Sequence, residues 1–115
     1  MGNKTISILR SNEIIFSRVK LAGTFWKRFK GLMFVKKLIY DGLLIYPCHS
    51  VHMFWMYFPL DLIFIDKQDQ VVYVVQNIQP NVISPSIRSA YYVLEVPSGT
   101  VSLLSIAIGD QLKFK

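Results

Sequence analysis

The longest uncharged stretch of the chain is the feature that most constrains its fold. Residues 42–60 run nineteen positions without a Lys, Arg, Asp or Glu side chain. That length would suffice for a membrane-spanning helix. Pro47 and Pro59 interrupt it, however, and it also contains two histidines. A bilayer offers no hydrogen-bonding partners to imidazole rings or to the backbone groups that a proline leaves unpaired. We therefore predict that this stretch is interior sheet of a folded domain and that the chain has no membrane span.

Length and composition fit a single domain over residues 1–115. A chain of this size buries roughly two thirds of its unfolded surface in one core, and 52% of its residues are hydrophobic. The single cysteine excludes an internal disulfide, so folding does not require an oxidising compartment. The apolar part of the N-terminus before Arg10 is too short for a secretory signal. These observations predict a cytoplasmic protein.

Positive charge is concentrated in the first third of the chain. Residues 1–40 hold nine Lys and Arg against one acid, whereas residues 41–115 hold four against six. Such a region is a solvated basic face or a surface for an acidic protein or an anionic membrane. There is no glycine-rich phosphate loop and no signature of a nucleic-acid module. Nucleic acid is therefore disfavoured as a partner.

Short apolar and β-branched segments dominate the chain. We predict strands where such residues alternate or run together between turn-forming residues. The predicted strands are 5–9, 14–21, 42–46, 51–57, 60–66, 71–75, 91–96 and 111–114. Ser11-Asn12 and residues 67–70 have the composition of hairpin turns, and residues 77–89 that of a surface loop.

Two short helices complete the predicted elements. Thr24 is a suitable N-cap for a helix that carries Phe25 and Phe29 on one face and basic residues on the other. We expect its rings to dock on the sheet. Ser98 is the predicted cap of a second helical turn that ends at Leu104. Together the elements predict a β-dominated α+β domain, with a compact, barrel-like, mostly antiparallel sheet and one or two short helices.

The uncharged stretch contains the cysteine and both histidines of the chain. Cys48, His49 and His52 supply thiolate and imidazole donors of the kind that zinc or copper binds. In an extended segment residues 49 and 52 would point to opposite faces, so a bend after Pro47 is needed for a shared metal site. The alternatives that remain open are a half-buried histidine with its hydrogen bonds satisfied, a cysteine that serves as a small apolar side chain of the core, and a cysteine activated by imidazole.

Three acidic residues lie in or beside apolar strands. They are Asp61, Glu95 and Asp110. A carboxylate in such surroundings has a hydrogen-bonding partner or a raised pKa, and pairs of carboxylates perform acid and base catalysis. Asp61 and Glu95 are therefore candidates for such a pair, while Asp110 in Gly-Asp is more typical of a turn.

Four motifs in order resemble a known family. They lie in residues 27–34, 48–66, 93–99 and 109–110, and include Gly-Leu-Met at 31–33, Trp-Met at 55–56 and Pro-Leu-Asp at 59–61. The chain is identified by them as a member of domain-of-unknown-function family 192, uncharacterised proteins of bacteria and archaea, in a Cys-His-Ser-x-His variant. The resemblance implies a compact β-rich domain and no established activity.

The sequence favours a small binding module. We expect an apolar groove that holds a small molecule or a partner segment near Trp55, Met56, Asp61, Glu95 and Asp110. The alternatives are a hydrolase or metal-assisted enzyme that uses Asp61 and Glu95, and an interaction protein that uses its basic first third. No residue is assigned a catalytic role, and the cofactor, the partner and the oligomeric state stay open.

Overall fold

A computed structural model describes residues 4–115 of the chain. Its secondary structure consists of seven strands and two short helices: β1 Thr5–Arg10, β2 Glu13–Ala22, α1 Phe25–Lys30, β3 Gly42–Ile45, β4 Leu60–Ile65, β5 Val71–Ile78, β6 Tyr92–Pro97, α2 Thr100–Leu104 and β7 Leu112–Phe114. The predicted lack of a secretory signal depends in part on residues 1–3, which lie outside the described residues.

All seven strands belong to one curled sheet. Their order is β5-β4-β6-β3-β2-β1-β7, and each neighbouring pair is antiparallel except β2 and β3. The two edges of the sheet approach one another, because Gln70 bridges to Gln111 and the amide of Leu112 donates to the carbonyl of Asp69 at 2.9 Å. The result is a half-barrel, which confirms the predicted β-dominated α+β fold.

Local turn chemistry explains both predicted hairpins. Ser11 and Asn12 have φ angles of 53° and 65°, the left-handed pair that a two-residue hairpin turn requires. In the β4–β5 turn the Asp66 carboxylate accepts from the amides of Gln68 and Gln70 at 2.9 and 3.0 Å. Both turns are stabilised by residues within the turn itself, which is why the sequence predicts them.

Two apolar clusters cover the two faces of the sheet. The cluster that we call the barrel core draws on all seven strands and contains, among others, Ile8, Phe16, Val19, Leu44, Ile63, Val71, Leu94, Val96 and Leu112. The cluster that we call the loop core packs buried residues of the connecting segments against the opposite face, with Leu32, Val51, Met53 and Met56 on Leu43, Leu62 and Phe64. The candidate site lies on the loop-core face.

The predicted strand at 51–57 is wrong. These residues form turns that pair by single hydrogen bonds with the segment 81–84, such as Met53 N to Val82 O and Ser84 N to Val51 O, both 2.8 Å. Trp55 has a φ angle of 59°, which a strand cannot contain. The uncharged stretch is therefore buried sheet only at β3 and at Leu60, where β4 begins. Residues 47–56 form the layer over the loop-core face.

Two details of the predicted helices are also wrong. Thr24 does cap α1, since its Oγ1 accepts from the amide of Lys27 at 3.2 Å, but no residue of α1 is buried and its rings do not dock on the sheet. Gly99, not Ser98, is the N-cap of α2; the Ser98 hydroxyl donates to Asn77 Oδ1 at 2.7 Å. Within residues 4–115 no helix is long and apolar enough to cross a membrane.

Candidate functional site

Glu95 is a buried carboxyl group whose Oε1 finds no partner among residues 4–115. It lies on β6 opposite Leu43 of β3 and Leu62 of β4, so its side chain shares their loop-core face. It is 2% exposed, and its Oε1 has no hydrogen-bond partner. Burial raises the pKa of Glu95 to about 8. The side chain is thus a neutral carboxylic acid at and below neutral pH.

A groove of about 240 Å³ lies above Glu95. Its walls are mostly apolar and come from α1 and the turn after it, from β3 and from the layer formed by residues 47–56. They include Phe25, Phe29, Leu32, Ile45, Val51 and Met56. Polar side chains that also line it are Arg28, Lys30, Cys48, Ser50 and His52. Apolar walls with a few polar groups are typical of small-molecule sites.

Gly31 makes room for the Glu95 carboxyl group. A Cβ atom at this position would lie 3.4 Å from Glu95 Oε1, and the φ angle of +49° disfavours any residue with a side chain. The glycine also ends α1, since its amide donates to Lys27 O. The end of the helix therefore lies directly beside the buried acid.

Arg28 contributes a second unpartnered group to the groove. Its Nη1 donates to the carbonyl of Pro47 at 3.1 Å, which holds the guanidinium against the loop layer. Its Nε is buried and has no acceptor in the described part of the chain. A donor and a carboxyl group thus both face the groove without partners, and Lys30 adds a further positive charge at its lining.

Cys48 is a half-buried thiol that lines the same groove as Glu95 and Arg28. Its Sγ donates to the carbonyl of Ser50 at 3.1 Å. Burial raises the pKa of the Cys48 thiol, and the charge of Glu95 acts in the same direction. The environment therefore favours a neutral thiol over the thiolate that a nucleophile or a metal ligand requires.

The two histidines point to different places. His52 lines the groove; its Nδ1 accepts from the amide of Phe54 at 3.2 Å, and its Nε2 lies 3.3 Å from Phe29 O. Because Nδ1 accepts a hydrogen bond, a neutral His52 ring carries its proton on Nε2. His49 instead lies outside the groove, with Nδ1 3.0 Å from Ser86 Oγ.

The structure does not bring the predicted metal ligands together. Cys48 and His52 line the groove and His49 does not. Between Lys4 and Lys115 there is no group of three or more His, Cys, Asp or Glu side chains placed to hold a metal ion.

Asp61 and Glu95, the candidates for an acid–base pair, lie on opposite faces of the sheet. Asp61 pairs in register with Val96, one residue beyond Glu95, so it points into the barrel-core side. There it is fully buried and accepts from three amides, those of Asn77, Gly99 and Val101, at 2.8, 3.1 and 2.9 Å. Asp61 ties the start of α2 to β5, and the geometry provides no acid–base pair with Glu95.

The three other residues predicted to bind a ligand, Met56, Asp110 and Trp55, do not all lie in the groove. Met56 lines the groove. Asp110 lies at the closure of the sheet, where it accepts from Arg10 and from the amide of Ala107, both at 3.0 Å. Trp55 is 56% exposed and stacks on Phe34 outside the groove. Of the five residues, the structure therefore brings together Glu95 and Met56.

Sequence reasoning missed Arg28, Gly31 and the two rings of α1 that line the groove. The available signal was the isolated acid in an apolar strand, which demands a partner but does not say where that partner lies. Arg28 precedes Glu95 by 67 positions. Only the packing of α1 over β6 brings them to one groove.

Comparison with known proteins identifies relatives along nearly the whole chain. A family model described as DUF192, Uncharacterized ACR, matches residues 7–114. A UPF0127 protein of Thermococcus sibiricus is 35% identical over 85% of this chain and 66% of its own length. A UPF0127 protein of Pyrococcus furiosus is 32% identical over 95% of this chain and 96% of its own length. The chain spans just under two thirds of the Thermococcus protein.

Two solved structures share the fold. A protein of unknown function from Novosphingobium aromaticivorans has a TM-score of 0.82 and 26% identity, over 96% of this chain and 84% of that chain. A Sinorhizobium meliloti protein described as "a putative transcription regulator" has a TM-score of 0.80 and 26% identity, over 99% of this chain and 96% of that chain. These matches agree with the curled sheet and two short helices.

Proposed function

The chain belongs to the DUF192 family of uncharacterised proteins, which assigns no activity, and from the geometry we propose that it is a binding module for an amphiphilic small molecule or partner segment. The ligand lies in the groove above Glu95. Its apolar part contacts Phe25, Phe29 and Met56, and its polar head reaches Glu95 and Arg28.

The observation that carries this proposal is the unpartnered Glu95 Oε1 at the base of the groove. A buried polar atom without a partner costs roughly 1–3 kcal/mol, and such groups are rare in folded proteins. Arg28, which lines the same groove, carries a second such atom, its Nε. A ligand head that carries hydrogen-bonding atoms would satisfy both groups at once, which explains why the fold tolerates them.

Charge indicates which head groups bind. Glu95 is neutral below a pH of about 8, whereas Arg28 and Lys30 are cationic. The lining is therefore positive at neutral pH, and a protonated Glu95 can donate a hydrogen bond. A head group that accepts hydrogen bonds, such as a carboxylate, matches this arrangement better than an ammonium group.

A matched series of amphiphiles tests the proposal. Octanoate, octanol and octylamine have the same tail and different heads, and binding is followed by chemical-shift changes in two-dimensional NMR spectra at pH 6 and pH 9. We expect octanoate to shift groove residues most strongly at pH 6. Octylamine should shift them least.

Variants locate the bound probe. Glu95→Gln keeps the size of the side chain and should remove the pH dependence, whereas Arg28→Met should weaken octanoate binding about tenfold. Glu13→Gln, an exposed carboxylate on β2, is the matched control and should change nothing. If none of the three probes shifts groove residues, or if Arg28→Met binds octanoate as tightly as the parent protein, the proposal is wrong.

We also place the protein in the cytoplasm as part of this proposal. The support is the single free cysteine, since folding then needs no disulfide and no oxidising compartment. Immunoblots of cell fractions test this placement. Recovery of the protein in an exported fraction would contradict it.

A further inference from the structure

Seven aromatic rings form a continuous chain of contacts over α1 and the neighbouring loop layer. Successive ring centroids along it lie 5.5, 6.5, 5.6, 5.2, 6.2 and 6.0 Å apart. We call this set the aromatic surface; its residues, in order of contact, are Phe25, Trp26, Phe29, His52, Phe54, Trp55 and Phe34. It joins two segments that are well separated in the sequence into one face.

Most of this aromatic surface is in contact with water. Trp26 is 75% exposed, Phe25 is 64% exposed, and Phe34 and Trp55 are each 56% exposed. Exposed single apolar residues are ordinary in proteins, but a contiguous exposed patch marks an interaction site. The groove uses only Phe25, Phe29 and His52 of this set, so the binding of a small ligand does not explain the rest.

Positive charge is interspersed with the rings. Residues 23–40 contain Lys27, Arg28, Lys30, Lys36 and Lys37 and no acidic residue. In the described part of the chain, ion pairing is confined to Arg10 and Asp110. The five basic side chains therefore have no carboxylate within ion-pair distance and leave a positive field at the aromatic surface.

We propose that the aromatic surface and its five basic residues dock the protein on an anionic lipid bilayer. Rings of Trp and Phe beside Lys and Arg are typical of segments that lie in a membrane interface, with the rings at the headgroup level and the cations toward the phosphates. Anionic lipid attracts such basic segments. A second copy of the chain fits less well, because two like-charged surfaces would face one another.

The docking surface continues into the groove. Phe25 and Phe29 belong to both, so docking would bring the mouth of the groove to the level of the lipid headgroups. The inference does not depend on what the groove binds, because its test uses residues that do not line the groove.

Vesicle binding tests this proposal directly. The whole chain is sedimented with vesicles of phosphatidylcholine alone or of phosphatidylcholine mixed with phosphatidylglycerol. We expect binding to the mixed vesicles only, a blue shift of the tryptophan emission, and loss of binding at high salt, since salt screens the charges.

Four variants separate the rings from the charges. Trp26→Ala with Phe34→Ala, and Lys27→Glu with Lys37→Glu, should each lower the affinity for mixed vesicles at least about tenfold. Leu103→Ala and Lys113→Glu change an exposed apolar residue and an exposed lysine on other elements and should leave it unchanged. All of these positions are exposed, so thermal unfolding should show the variants to be folded.

Three results would overturn the proposal. One is the lack of binding to mixed vesicles at low salt. Another is binding to a single-stranded oligonucleotide or polyglutamate as tight as to vesicles and unaffected by Trp26→Ala, which would indicate an acidic macromolecule. The third is a dimer in sedimentation equilibrium that Trp26→Ala with Phe34→Ala dissociates, which would indicate a second copy of the chain.

Discussion

Asp61 and Glu95 are two buried carboxyl groups on neighbouring strands with opposite surroundings. Asp61 has 0% exposure and accepts hydrogen bonds from three backbone amides. Glu95 has 2% exposure, and its Oε1 accepts none. One register step along β6 separates the two residues, yet that step moves the side chain from the barrel core to the loop core.

The hydrogen-bond partners of a buried acid distinguish a structural acid from a candidate functional one. Three amide donors compensate the burial of Asp61, so its role is complete within the protein. Within the described residues no group donates a hydrogen bond to Glu95 Oε1, and a groove lies above this side chain. Substitutions at these two acids and at their neighbours test this distinction.

Removing the Asp61 carboxylate should unfold or nearly unfold the domain. Asp61→Ala leaves three amides without an acceptor, the buried one of Val101 and the part-buried ones of Asn77 and Gly99, and the cost is roughly 1–3 kcal/mol for a fully buried group. We expect a loss of about 5 kcal/mol in the free energy of unfolding, measured by urea denaturation. That loss is comparable to the whole stability of a small domain.

Glu13→Ala is the control for this experiment, because Glu13 is an exposed acid on β2. Its unfolding free energy should stay within about 0.5 kcal/mol of the parent protein. An Asp61→Ala protein with nearly parental stability would show that the three hydrogen bonds do not hold α2, and the distinction from Glu95 would fail.

Glu95 should make the domain less stable as pH rises. Its pKa is about 8 in the folded protein against 4.5 for the free side chain, so the folded state binds the extra proton between those two values. The contribution of Glu95 to the free energy of unfolding is fully present below pH 4.5, falls between pH 4.5 and about 8, and is lost above pH 8. The loss is roughly 5 kcal/mol over the full window.

Glu95→Gln isolates this contribution from that of other titrating groups. The variant cannot ionise, so the difference in unfolding free energy between it and the parent protein should grow from pH 5 to pH 8 in favour of the variant. Urea denaturation at four or five pH values measures it. A difference that does not change with pH would mean that Glu95 titrates normally.

Gly31→Ala should combine a loss of stability with a change in the groove. The φ angle of +49° is strained for alanine, and the new Cβ would lie 3.4 Å from Glu95 Oε1. We expect a cost of about 1–2 kcal/mol and weaker binding of octanoate. Urea denaturation and NMR titration measure the two effects separately.

Gly109→Ala is the matched glycine for this comparison. Its φ angle is +98°, and a Cβ there would meet no atom within 4 Å. It should show a similar loss of stability with octanoate binding unchanged. Equal effects of the two variants on octanoate binding would separate Gly31 from the site.

What the sequence predicts well is whatever a few adjacent residues determine. The turns at Ser11-Asn12 and at residues 66–70 follow from left-handed residues and an aspartate that accepts nearby amides. The helix start at Thr24 is equally local. Seven of the eight predicted strands are present for the same reason, since alternation and β-branching are local properties.

The features that the sequence does not predict depend on packing between residues far apart in the chain. Residues 51–57 have a strand-like composition, but Trp55 adopts a left-handed conformation and the segment pairs with residues 81–84. The candidate site shows the same limit more strongly. Glu95 was recognisable as an acid in an apolar strand, whereas its neighbours Arg28 and Gly31 come from a helix end more than sixty positions earlier.

Asp110 gives the smallest effect and completes the comparison with a third acid. Its ion pair with Arg10 is about a quarter exposed on each side, so solvent screens the attraction and it contributes little. Its carboxylate also accepts from the amide of Ala107 at 3.0 Å, a bond that an asparagine oxygen can replace. Asp110→Asn should therefore lower the unfolding free energy by only about 1 kcal/mol, and the difference should shrink in high salt.

Urea denaturation at low and high salt measures both values. A loss as large as that of Asp61→Ala would mean that partial exposure does not reduce the contribution of a carboxylate in this fold, and burial would then no longer separate the three acids.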